Sequence, residues 1–324
     1  MSTGRVVIAG ASGFMGRYLV DTFRAEGDEV VTIGRGADAD ARWGDPARLR
    51  EVVDGARLVV NLAGRSVNCR YTRRNRDVIL RSRVDTTRAL GEAISASASP
   101  PALWINASTA TIYRHADDRP MTESGGELGA GFSVGIARAW EDALAELDLP
   151  ATRRVALRTA IVIGDGSVLT PLAALTRLGV GGAHLDGPWF RLRRRIAAGT
   201  QHEYRSRGGR QRFSWVHLAD VAGAIRFLEH HPQLEGPINL SSPNPSDDRT
   251  MMATLRRVLR VPFGVPLHRW LLEPGAWVIR TETELVLKSR WVVPERLLAA
   301  GYEFRFVELE AALRDALGRP VTEP

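Results

Sequence analysis

The residues best placed to do chemistry stand at the start of the chain. Gly10-Ala11-Ser12-Gly13-Phe14-Met15-Gly16 sets three glycines three residues apart, directly after the apolar run Arg5-Val6-Val7-Ile8-Ala9. A glycine at position 10 permits a tight turn. Glycines at 13 and 16 remove side chains that would block a ligand or hold a helix away from the strand. A helix opening there offers free backbone N–H groups and its positive dipole end to an anion. Gly10, Ser12, Gly13, Phe14, Met15 and Gly16 are therefore expected to hold the pyrophosphate of a dinucleotide. A purely structural glycine turn is the competing reading.

The second apolar run ends Val31-Thr32-Ile33-Gly34-Arg35. A site for NAD usually carries an acid there to hold the ribose hydroxyls. Arg35 can instead grip a 2′-phosphate with both edges of its guanidinium, so NADP is favoured over NAD. An ordinary exposed arginine would look the same. Asp45 is expected on the adenine side. Leu62, Ala63 and Gly64, after Asn61, are small enough to let backbone pass beside the cofactor.

These residues need a scaffold, and the hydrophobic pattern supplies one. Short apolar runs at 5–9, 29–33, 58–62, 103–106 and 153–157 read as buried parallel strands. Helical periodicity covers 15–26, 46–53, 73–94 and 133–147. The alternation predicts an α/β fold, a Rossmann-type doubly wound parallel sheet with right-handed crossovers. Residues 1–165 are expected to form the dinucleotide-binding core. Residues 166–324 are expected to form a smaller substrate lobe and a helical C-terminal region, with 210–242 returning to the core. Helices are expected at 168–178, 220–230, 248–260, 281–289, 294–300 and 307–317, and further strands at 212–217 and 237–240.

Composition narrows the class. The 324 residues are 44% apolar, enough for a full core without disulfides. Cys69 is the only cysteine, which excludes an internal disulfide and a multi-cysteine metal site; no metal is expected. No apolar run is long enough to span a membrane, and no secretory leader is read at the start, so a cytoplasmic protein is expected. The formal charge is +7, and Lys288 is the only lysine. The arginine excess therefore reflects coding bias as much as function.

The chain resembles the extended, or atypical, branch of the short-chain dehydrogenase/reductase superfamily. The resemblance rests on Gly10–Gly16, Asn61–Gly64, Ala107-Ser108-Thr109-Ala110-Thr111-Ile112-Tyr113, Leu157-Arg158-Thr159 and Trp215-Val216-His217-Leu218-Ala219-Asp220. More closely, it is similar to the epimerase-like proteins that end in a C-terminal domain of unknown function, often labelled sugar-nucleotide epimerases or cell-division inhibitors. Ser82–Thr87, Arg138–Glu141, Gly209–Trp215 and Val293–Phe304 carry that likeness. The resemblance implies NADP binding, with Ala107 and Thr159 completing the cofactor site, and hydride transfer on a small organic substrate.

One piece of the superfamily's machinery is missing. Its engine is a serine or threonine, a tyrosine, and a lysine four residues further on; the lysine lowers the tyrosine's pKa. None of the five tyrosines has lysine at plus four. With Glu141 aligned to the family's helix, Ser133 takes the tyrosine position and Ala137 the lysine position. Ser108 and Thr109 are expected beside the nicotinamide, with Tyr113 as proton donor; a buried tyrosine bonding a loop is its rival reading. Arg83, if it faces inward, favours a carboxylate or phosphate on the substrate.

His217 and Asp220 are read as a loop contact and a helix cap. Residues 191–212 hold eight arginines and are read first as a solvated, partly mobile loop and second as a substrate lid. Nucleic-acid binding there would be salt-steep and nonspecific. Relatives pair through helices like 73–94 and 133–147, so a homodimer is an open expectation. A catalytically silent NADP-binding regulator acting through a protein partner is the alternative function.

Overall fold

The computed structural model describes residues 4–166 and 168–320. The first half runs β1 (Arg5–Ala9), α1 (Phe14–Ala25), β2 (Glu29–Gly34), β3 (Ala41–Arg42), α2 (Pro46–Val53), β4 (Leu58–Asn61), α3 (Arg73–Ser95), β5 (Leu103–Thr109), α4 (Phe132–Ala145) and β6 (Arg153–Thr159). The second half continues β7 (Ile161–Ile163), α5 (Leu169–Arg177), β8 (His184–Leu185), α6 (Arg193–Ala197), β9 (Arg212–Phe213), β10 (Trp215–His217), α7 (Leu218–His230) and β11 (Gly236–Leu240). It ends β12 (Ser246–Asp247), α8 (Asp248–Leu259), β13 (Leu267–His268), α9 (Arg269–Val278), α10 (Glu284–Leu287), α11 (Glu295–Ala299) and α12 (Leu309–Ala316).

A seven-stranded sheet forms in the order β11-β6-β5-β4-β1-β2-β3, and every pairing in it is parallel. The chain builds one way from β1 to β3, then returns to add β4 on the other side. The order therefore reverses between β1 and β4, which opens a crevice at their carboxyl ends. Both faces are covered, as continuous Val/Ile/Leu strands require. On one face Val6, Ile8, Val60 and Ile105 pack with Leu19 and Phe23 of α1 and Val221 and Ile225 of α7. On the other, Val7, Val59 and Trp104 pack with α2, α3 and α4 through Leu49, Leu90 and Leu144. No described helix is long and apolar enough to cross a membrane.

A third apolar cluster, Trp215, Met251, Leu255, Leu169 and Leu313, joins α5, α8 and α12 into the lobe. Here the structure departs from the periodicity. The helix expected over 281–289 shrinks to α10. Beyond it, Ser289 N donates to His115 Nδ1 and Arg290 N to Arg212 O, so long-range partners replace the helical ladder. Helix α9 was not expected. It contains Pro274 and exposes Trp270 and Trp277, which blurs any amphipathic stripe.

The arginine-rich stretch keeps most of its arginines exposed, as expected, but a short helix and buried contacts anchor it to the rest of the chain. Arg195 on α6 reaches Glu273 at 3.1 Å and Glu282 at 3.0 Å. Gly199 O accepts from Phe132 N, and Ala198 O from Arg76. The stretch thereby bridges α3, α4 and α9. His217, not Asp220, caps α7: its Nδ1 accepts from Ala219 N. Asp220 is buried and accepts the backbone N–H groups of Arg305 and Phe306. A histidine directly before the helix can reach its first free donors, whereas Asp220 lies already inside the first turn.

Candidate functional site

The crevice between β1 and β4 deepens into a cleft of about 450 Å³, within the range of small-molecule sites. Gly10, Gly13, Phe14, Met15, Gly16 and Leu62 line one end. Gly10 has φ +81°, and a Cβ there would come within 2.8 Å of the Leu62 backbone. A Cβ on Gly16 would fall 2.4 Å from Gly10 O. These two glycines let the turn fold against β4 and let α1 start tight on β1. Gly13 is the N-cap of α1, offers no capping side chain, and no acid stands in the first turn. The opening N–H groups of a 12-residue helix thus face the cleft end with a positive dipole behind them. This end fits a pyrophosphate. Ser12, in the same turn, is exposed.

Further along the edge, Arg35 follows β2 and is exposed. Asp40, in the turn after it, accepts from Thr32 N and Thr32 Oγ1, both at 2.8 Å, so this carboxylate closes the turn. Asp45, expected on the adenine side, also has a structural role. Its carboxylate caps α2 by accepting from Arg48 N at 3.0 Å, because Pro46 starts the helix and leaves that donor unsatisfied. Ala63 is buried, and its N–H donates to Asn61 Oδ1. Thr159 lies outside the cleft lining; its hydroxyl donates to Leu157 O in its own strand.

A buried polar network holds the cleft floor. Asn61 Nδ2 donates to Asn106 Oδ1 at 2.7 Å, Thr87 Oγ1 reaches the same oxygen, and Trp140 Nε1 donates to Thr87 Oγ1. This ties β4, β5, α3 and α4 together where the strands end. Ala107, Ser108 and Thr109 of β5 line the cleft. Ser108 Oγ donates to Glu141 Oε1 at 2.5 Å, and Arg158 holds the same carboxylate with two bonds of 2.8 and 2.7 Å. The Ser108 hydroxyl proton is therefore engaged by the helix anchor Glu141. Thr109 Oγ1 accepts from Thr111 N, which leaves its own proton for a ligand.

Tyr113 is not at the cleft. It is 1% exposed; its hydroxyl donates to Asn239 Oδ1 and accepts from Arg158. The single turn at Ala110–Ile112 swings it under the sheet edge, so the proton-donor assignment fails for lack of access. Tyr71 takes its place in space. It comes from the irregular segment after β4 and lines the cleft with Ser133. Ser133 Oγ in turn donates to Glu284 Oε2 at 2.8 Å. Tyr71 N is held by Glu282 Oε1 at 3.0 Å, and its ring packs edge-on against Phe132. Burial foremost, then Glu284, pushes the Tyr71 phenol well above its usual pKa, so it is a neutral donor at any ordinary pH.

Sequence reasoning missed Tyr71 because its segment has no periodicity. The available signal was its place directly before Thr72, whose side chain caps α3, on the carboxyl side of β4. Arg83 does face the cleft, as does Arg290 from the lobe. A larger groove, about 1100 Å³, opens at the amino ends of β5, β6 and β11. Its Arg57 and Arg226 are committed to Asp28 and Glu229, and it lies at the opposite strand ends from the glycine turn.

The sequence profile of the NAD dependent epimerase/dehydratase family matches residues 6–129, and that of a domain of unknown function, DUF1731, matches 270–316. Epimerase family protein SDR39U1 of Mus musculus is 28% identical over 319 residues, 97% of this chain and 99% of that protein. Epimerase family protein YfhF of Bacillus subtilis is 26% identical over 316 residues, 95% and 96% of the two chains. The crystal structure of human SDR39U1 (isoform 2) with NADPH superposes with a TM-score of 0.81 at 25% identity, covering 97% of this chain and 99% of that one.

Proposed function

We propose that this chain, which carries an NAD dependent epimerase/dehydratase domain followed by a DUF1731 domain, binds NADPH in the cleft and acts on a small organic substrate by hydride transfer. The observation that carries the reading is the uncapped glycine end of α1, opening at the strand switch point into a cleft that runs on to Tyr71, Arg83, Thr109, Ser133 and, from the lobe, Arg290. The human relative that superposes over nearly the whole chain holds NADPH. Gly10 to Gly16 would hold the pyrophosphate, Arg35 the 2′-phosphate, and Leu62, Gly64 and Ala107 the passage to the nicotinamide. When bound, the nicotinamide supplies a hydride to a substrate carbon or removes one from it.

The chain's own part is the matching proton. Thr109 has an uncommitted hydroxyl proton to polarise the substrate oxygen. Tyr71 donates to that oxygen when a carbonyl is reduced. The proton that Tyr71 gives is restored from solvent on the side of the cleft where half-buried Glu284 accepts from Ser133 Oγ. The relay runs in reverse for oxidation. This set replaces the absent tyrosine–lysine pair, since Ser133 and Ala137 occupy those positions on α4. It favours an enzyme over a silent regulator, which would have no use for a polar relay at the cleft wall.

Fluorescence titration with NADPH and NADH tests the cofactor step. Arg35→Asp should weaken NADPH binding about tenfold or more while sparing NADH, the loss of one bidentate phosphate contact. Equal affinity of the wild-type protein for both nucleotides would remove Arg35 from the site. In a screen of carbonyl compounds, Tyr71→Phe should keep NADPH affinity and slow its oxidation about a hundredfold. Turnover unaffected by that change would refute the relay.

A further inference from the structure

We propose that the substrate end of the cleft is an anion subsite formed by Arg83 and Arg290, so that the substrate carries an oxyanion, carboxylate or phosphate, beside its reacting carbon. The proposal rests on the reading that the glycine end holds NADPH.

Arg83 leans from α3 across Gly64, where a Cβ would meet its Cζ at 3.2 Å, and lies over the Trp140 ring at 5.0 Å. Only its Nη1 is used, by the carbonyls of Arg65 and Ile79, both at 3.0 Å. Arg290 enters from the lobe. Its Nε donates to Thr111 Oγ1, and its Nη1 to Leu285 O and Lys288 O. Arg83 keeps its Nε–Nη2 edge and Arg290 its Nη2, donors that no described residue takes up, and neither guanidinium meets a carboxylate among the described residues.

Among the buried arginines of the described residues, Arg290 is the exception in lacking a carboxylate, while Arg83 is half-buried. The buried arginines outside the cleft are neutralised: Arg158 by Glu141, Arg269 by Asp186 and Glu273. A desolvated cation without a counter-ion is costly, and a protein keeps one where a ligand supplies the charge. The field has a visible consequence at Lys288. Its Nζ is buried and donates to Thr111 O at 2.7 Å; burial first, and Arg290 next, pull its pKa to about 7. Burial likewise pulls Arg83 to about 10. Glu284 is the carboxylate nearest this end, and Ser133 and Tyr204 occupy its oxygens. The free fork of Arg83 and the Nη2 of Arg290, lining one cleft, suit an oxyanion, which Arg83 can grip with paired N–H bonds and Arg290 with a single charged donor.

The test is calorimetric titration of NADPH-loaded protein with oxalate, with inorganic phosphate, and with neutral acetone as control. Oxalate or phosphate should bind and acetone should not; which oxyanion binds more tightly identifies the substrate's group. Arg83→Met should weaken oxyanion binding about tenfold or more, one charge-assisted contact, and leave NADPH affinity unchanged. Arg83→Lys should recover part of the loss. Oxalate and acetone behaving alike would overturn the proposal. So would an Arg83→Met protein that loses NADPH as steeply as oxalate, since the arginine would then serve the cofactor's phosphates. Should wild-type protein bind no NADPH, the cofactor reading fails, and the same titrations on cofactor-free protein decide the subsite alone.

Discussion

The two walls of the cleft are built differently. On the sheet side, β1, β4 and β5 are buried strands whose side chains find apolar partners a helix away, and the ligand-facing surface is mostly backbone and small residues. On the lobe side, α6, α9 and the segment around α10 are short, and ion pairs join them. Glu273 alone receives Arg195, Arg269 and the Thr283 hydroxyl, and Glu282 receives Arg195, Arg70 and Tyr71 N. Apolar packing tolerates a changed partner by degrees, whereas a buried charge network fails when one member goes. The lobe, which carries Arg290 and positions Tyr71, is therefore the more fragile wall.

Glu273→Ala should have the largest effect. It takes one of two carboxylates from each of Arg195 and Arg269 in a buried site and should destabilise the lobe by about 3 kcal/mol. Limited proteolysis should then cut within 186–210 first, with the sheet half left intact. Global unfolding without a protected core fragment would break the contrast between the walls.

Gly16→Ala should come next, and should act on the opposite wall. A Cβ 2.4 Å from Gly10 O forces the turn to move, an overpacking cost of about 1–3 kcal/mol. NADPH binding should fall steeply while proteolysis of the lobe stays as in wild type.

Acid should separate the walls without mutation. Burial, then Arg269 and Arg195, pull the His202 pKa from 6.5 to about 3. The unfolded chain takes up this proton near pH 6.5, and the folded lobe resists until about pH 3. The stabilisation is thus full above pH 6.5 and drains away as pH falls through that window. Lobe proteolysis should rise between pH 6.5 and 4.5, and His202→Gln should flatten that rise. A flat wild-type profile would show that His202 is already charged in the folded lobe.

Asp45→Ala should be the mildest, costing about 1 kcal/mol as the loss of a helix cap. A shift in melting temperature with unchanged NADPH affinity would fit a cap; a large loss of affinity would restore the adenine contact.

Much of the sheet half was legible along the chain. The five strands and four helices read from periodicity stand within a few residues of their observed ends, because each is long enough to repeat its pattern and is bounded by glycine, proline or a cap. The cofactor turn was legible because its chemistry is local: three glycines between a strand and a helix suffice. Arg83 could be named, although its inward orientation could not be shown. Tyr113 illustrates the limit. Its nearness in sequence to Ser108 suggested nearness to the cleft, yet a single turn at Ala110–Ile112 sends its hydroxyl to Asn239 and Arg158.

What the sequence determined by itself was the doubly wound sheet, the glycine end of the ligand cleft and the absence of a tyrosine–lysine pair, since each follows from neighbours along the chain. Which tyrosine faces the cleft, which arginines lack a counter-ion and how residues 191–212 fold were decided only in three dimensions. Tyr71 lines the cleft with Ser133 from 62 positions away, and Arg195 meets Glu273 across 78. No local pattern encodes such pairings, because burial and charge neutrality are properties of the packed whole.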